Sequence, residues 1–108
     1  MIRLDLKALS LNSAYRGRRF TTPELKAYKE AIRYLSPVLS VPGGKLQVFY
    51  RFGVSSKNSD GDNLIKCLQD GLAERYGFND KNIYKWEVEK VDVKKGAEFI
   101  EYEIKVLE

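Results

Sequence analysis

Residues 45–54 alternate without a break: Leu46, Val48, Tyr50, Phe52 and Val54 fall on one face, Lys45, Gln47, Phe49 and Arg51 on the other. Only an extended strand sends successive side chains to opposite sides, so this stretch predicts a half-buried strand that needs an apolar cover. Segments of helical period flank it. Upstream, Thr21 or Thr22 can cap a helix, Pro23 suits its first turn, and Glu24 lies near the positive end of its dipole. Leu25, Tyr28, Ile32 and Leu35 repeat at helical spacing and mark its buried face, and Pro37 with Pro42-Gly43-Gly44 ends the segment. Downstream, the polar residues Ser55 to Gly61 form a loop. A second helix is predicted from about Asp62 to Tyr76, with a buried stripe of Leu64, Ile65, Leu68 and Leu72 and Gly77 placed to stop it.

Three further strands complete the pattern. Ile2, Leu4, Leu6 and Ala8 alternate with charged residues, so residues 2–9 read as a strand, and residues 10–20 as a basic loop. Tyr84, Trp86 and Val88 alternate, and the phase shifts at Val91 and Val93, which suggests a bulge near Glu89-Lys90. Lys94-Lys95-Gly96 makes a turn, and Ile100, Tyr102, Ile104 and Val106 form a last strand, expected to pair with the preceding one as a hairpin. The order β-α-β-α-β-β predicts an α+β domain, a small mixed sheet with helices packed on it, over residues 1–108 as one unit.

Composition restricts the chemistry open to such a domain. The chain has no histidine and one cysteine, Cys67. That excludes a serine-histidine-aspartate triad, a cysteine-histidine pair and the usual zinc sites. Carboxylates, lysine, tyrosine or a hard metal ion must carry any catalysis. The lone cysteine, the absence of a long apolar run and an N-terminus without an apolar h-region predict a cytoplasmic protein with no membrane partner. Charge is uneven: residues 1–54 hold ten of the 19 Lys/Arg and three of the 15 Asp/Glu. A basic half beside an acidic half suits a chain that grips phosphates with one surface and a cation with another, although solvated surface charge gives the same count.

The segment richest in chemistry runs from Asn58 to Asp70. Asp60 sits in the loop and Asp62 at the helix start, and Asp62, Lys66 and Asp70 are spaced i, i+4, i+8 along one face. Asp80 follows just after the helix. Two carboxylates about 4 Å apart repel by roughly 4 kcal/mol at an effective dielectric near 20. A divalent cation can offset that, and oxygen-rich sites select magnesium, manganese or calcium. Taken alone, Asp60-Gly61-Asp62 reads more simply as a turn and helix cap, with Lys66 a surface partner. A calcium loop of the EF-hand type fails on pattern, because Asn63 would stand at the glycine position and Gln69 at the final glutamate.

The string Asp60-x-Asp62-Asn63-x-x-Lys66, then Leu68-x-Asp70-x-Leu72, resembles the core motif of RusA-like Holliday junction resolvases. Gly77-Phe78-Asn79-Asp80 stands where that family has a Gly-aromatic segment with an acidic pair, and Ser10-Leu11-Asn12 with Tyr15-Arg16 looks like its opening segment. Ser59 departs from the family, which often has a basic residue there; Lys57 is the basic residue nearby. Aligning Asp80 requires a one-residue gap.

The resemblance implies an α+β homodimer that places paired, magnesium-dependent nicks in a four-way DNA junction, with manganese able to substitute. It implies that Asp60, Asp62 and Asp80 are metal-binding catalytic carboxylates and that Lys66 is the catalytic or phosphate-contacting lysine. Asp70, also in the motif, either orients Lys66 or joins the metal ligands. A bacterial cell, with a phage or prophage origin, fits the family. Arg16, Arg18 and Arg19, with Lys57, are the expected DNA-binding residues, and Tyr15 and Phe20 beside them either stack on an unpaired base or anchor the loop. Lys26, Lys29 and Arg33 extend the basic surface or are merely solvated. Tyr84 and Trp86 are expected in the core or a dimer interface. Two alternatives use the same residues: a nonenzymatic module that binds branched DNA, and a nuclease for flaps or forks.

Overall fold

The structure is a computed structural model that describes residues 1–16, 20–56 and 60–108. In chain order its elements are β1 (Ile2–Leu4), α1 (Leu11–Ala14), β2 (Tyr15–Arg16), β3 (Phe20–Thr21), α2 (Pro23–Leu35), β4 (Leu46–Val54), α3 (Gly61–Tyr76), a 3-10 turn (Asp80–Asn82), β5 (Ile83–Asp92) and β6 (Phe99–Val106). It is a small α+β domain with a four-stranded mixed sheet in the order β1-β6-β4-β5. β4 behaves as its alternation predicts. Its even-numbered side chains are buried against the helices, together with Leu4 of β1 and Ile100 and Tyr102 of β6. Leu25, Tyr28 and Ile32 of α2 and Leu64, Cys67, Leu68 and Leu72 of α3 close the core from one side.

The helices start and stop where local chemistry allows. Thr22, rather than Thr21, caps α2: its hydroxyl accepts from the Leu25 N–H at 3.4 Å and donates to the Ser13 carbonyl at 2.7 Å. Thr21 is occupied in β3, opposite Tyr15. Gly77 ends α3 at φ 71°, a left-handed conformation that costs a side-chain-bearing residue about 1 kcal/mol or more. The helices approach closely at Gly71, where a methyl group would press on Ile32. The last turn of α2 runs past that contact, so Leu35, expected on the buried face, is 46% exposed.

Three expectations are corrected. The last two strands do not form a hairpin: β5 lies parallel to β4 on one side, and β6 lies antiparallel to β4 on the other. α3 carries the chain back to the end of the sheet where β4 began, so β5 enters alongside Leu46. The Val93 N–H then bonds the Val54 carbonyl at 2.8 Å, and the chain turns at Gly96 to come down beyond β4. A turn sequence is the same whether the strands it joins pair or straddle a third. The irregularity in β5 lies at its start: Leu46 faces Ile83 while Gln47 faces Lys85, leaving Tyr84 extra, and pairing through Glu89-Lys90 is regular. Finally, the strand expected over residues 2–9 covers only Ile2–Leu4, and the region expected as loop contains α1, β2 and β3.

Candidate functional site at the start of α3

α3 leans its Leu64/Leu68/Leu72 stripe on β4, which turns the face carrying Asp62, Lys66 and Asp70 toward solvent. Asp60 occupies the N-cap position by its backbone, yet its carboxylate makes no capping bond. The caps of the other described helical segments, Ser10, Thr22 and Asn79, all use their side chains. The turn-and-cap account therefore gives the Asp60 carboxylate no capping bond among the described residues. Asp62 is exposed in the first turn, where the helix dipole favours negative charge. Asp80 is half-buried at the start of the 3-10 turn, reached after Gly77 reverses the chain.

Lys66 and Asp70 form an ion pair of 3.1 Å one helical turn apart. The hydrogen bond to Asp70 raises the Lys66 pKa, and the charge of Asp80 and the nearby Tyr15 add to it, while partial desolvation opposes the shift. Lys66 thus remains a cation throughout the neutral range. Asp80 and Asp70 also act on Tyr50, whose hydroxyl is raised first by burial and then by those two charges. Asp70 and Asp80 line an open recess with Lys29, Glu74 and Asn79, in which Lys29 is already paired to Glu74 at 3.0 Å. A second depression, over Phe49 and Arg51 on the opposite face of the sheet, has its central cation satisfied by Glu89 and Glu101.

Asp60, Asp62 and Asp80 make no ion pair among the described residues. Their oxygen donors fit a hard divalent cation by chemistry. Among the described residues, however, no three Asp, Glu or Cys side chains stand together as a metal-holding group. The structure thus brings Lys66 and Asp70 into contact and sets Asp80 within electrostatic reach of Lys66, and it leaves the three carboxylates short of a preformed cage.

The basic residues divide. The backbone of Arg16 lies in β2, adjoining Tyr15 and hence the Lys66 face. Arg18, Arg19 and Lys57 lie outside the described residues. Tyr15 packs on the edge of the core and anchors its strand, whereas Phe20 is 72% exposed. Lys26 and Arg33 are solvent-exposed on α2.

Residue reading missed Gln69. Its Oε1 accepts from the Tyr50 hydroxyl at 3.1 Å and from the Trp86 Nε1–H at 2.9 Å, tying α3 to β4 and β5. No signal in the chain marked it, since Gln69 lies seven residues after Asp62 and so reads as part of the solvent-facing side. Neither a protein-family model nor a curated protein matches the chain. Among the described residues no helix is long and apolar enough to cross a membrane.

Proposed function

We propose that the chain is a magnesium-dependent endodeoxyribonuclease of the RusA-like kind, acting as a homodimer that nicks branched DNA and resolves four-way junctions. The observation that carries this reading is the Asp60 carboxylate, set at the head of α3 yet unused as a cap, beside Asp62 and on the helix whose Lys66 is held by Asp70. Asp60, Asp62 and Asp80 are the residues that would hold the cation. When bound, it supplies a nucleophilic water at neutral pH and offsets charge on the scissile phosphate. The chain's own groups do the rest. Asp70 holds Lys66 in place by their 3.1 Å ion pair, and the ammonium stabilises negative charge on a phosphate oxygen. Arg16, Arg18 and Arg19 supply phosphate contacts.

A synthetic four-way junction incubated with the protein and Mg2+ tests the assignment. Asp60→Asn and Asp62→Asn are each expected to cut the nicking rate by at least about a hundredfold while junction binding persists. Wild-type nicking in both variants rejects the site. Binding without nicking by the unmodified protein points instead to a nonenzymatic module, and faster cutting of flaps or forks to a different branched substrate.

A further inference from the structure

The two edges of the sheet are unlike. β1, at one edge, has three residues, and β5, at the other, has ten. A long unpaired edge offers a row of backbone donors and acceptors to another strand. Along β5, Trp86 and Val88 lie opposite Val48 and Tyr50 and so face the helix side of the sheet, where Trp86 bonds Gln69 of α3 by its indole N–H yet stays partly exposed. Tyr84, Trp86 and Val88 remain 59%, 47% and 36% exposed. On the other face of the strand, Lys85 and Glu87 have no ion-pair partner among the described residues, whereas Glu89 is held by Arg51.

We propose that β5 is the dimer interface, pairing antiparallel with β5 of a second copy about a two-fold axis at Trp86. Among two-fold centres from Lys85 to Val88, the charge pattern favours this register. Symmetric antiparallel pairing centred on Lys85 or Glu87 sets that residue against its own copy, and centring on Val88 sets Glu87 against the partner's Glu89. Centring on Trp86 places Lys85 opposite the partner's Glu87, twice per dimer, with no like charges facing one another across residues 84–88. The same register gathers Tyr84, Trp86 and Val88 of both copies into one apolar strip, with Tyr84 opposite the partner's Val88. The axis is normal to the sheet, so the four-stranded sheets merge and both α3 helices lie on one side. One branched DNA can then meet both candidate sites. The pairing rests on the homodimer part of the function proposed above, and its test needs neither DNA nor metal.

Sedimentation equilibrium on the full chain should show a reversible dimer. Lys85→Glu and Glu87→Lys should each weaken it by about tenfold or more, because each puts two like-charged pairs at the interface, and the double exchange should restore association to within about threefold of wild type. Trp86→Cys should give a covalent dimer on mild oxidation, while the wild type, whose Cys67 is buried, should not. A protein that stays monomeric, or a dimer that the double exchange fails to rescue, overturns the pairing. A monomer that still nicks junctions leaves the nuclease proposal standing, and a dimer with the exchange behaviour that cuts nothing leaves the pairing standing.

Discussion

Gln69 shows how one side chain sets the relation between the site and the sheet. A single amide oxygen accepts from Tyr50, fully buried on β4, and from Trp86, half-exposed on β5. Replacing it removes the acceptor from both. Water can reach the indole, but not the Tyr50 hydroxyl, so the cost is that of one buried unpaired donor. Gln69→Leu should therefore lower stability by about 1–3 kcal/mol in urea titration. The sole tryptophan is the reporter, and its emission should shift in the native baseline of the variant. Gly53 illustrates the opposite constraint, since it lies opposite Phe99 and a methyl group there would overlap the ring.

Among the elements, α2 depends most visibly on its first residue. Thr22 is buried, caps the helix and also bonds the Ser13 carbonyl at the end of α1, so one hydroxyl joins two helices. Thr22→Ala should cost about 1–2 kcal/mol, read as a lower thermal midpoint by circular dichroism, and Thr22→Ser should recover most of it. The start of α3 is built differently. Asp60 holds the N-cap position without a side-chain capping bond. That difference between the two caps was hidden in the sequence, because Thr and Asp are both good N-cap residues, and only the positions of the side-chain oxygens distinguish an engaged cap from an idle one.

The whole molecule answers to alkaline pH through its buried tyrosines. Burial raises Tyr28, Tyr50 and Tyr102 well above the ordinary phenol value of about 10. Below that value both folded and unfolded chains keep these protons, and the shift has no effect on stability. Above it the unfolded chain releases them while the native protein holds them, so unfolding becomes progressively favoured. The thermal midpoint should be flat near about pH 8 and fall steeply by about pH 11, with tyrosinate absorbance rising together with unfolding. A midpoint unchanged over that span would show that the phenols are not shielded in the native state.

Elements were legible where one residue's neighbours in sequence decide its environment. The strand at residues 45–54, the helix stop at Gly77 and the Asp62, Lys66, Asp70 face all follow from backbone period and glycine's freedom at positive φ. Strand order did not follow. β4 separates β5 from β6 because α3 returns the chain to the start of the sheet, and that crossover leaves no mark on the turn at Lys94-Lys95-Gly96. Nor did the bonding of Trp86 to Gln69 show in the chain, since it joins residues held near one another only by the packing of a helix on a sheet. The sequence by itself determined which faces are apolar and which residues carry charge. Tertiary structure alone decided which strand is left at the edge and how α3 is tied to the sheet, because those are properties of contacts between segments distant along the chain.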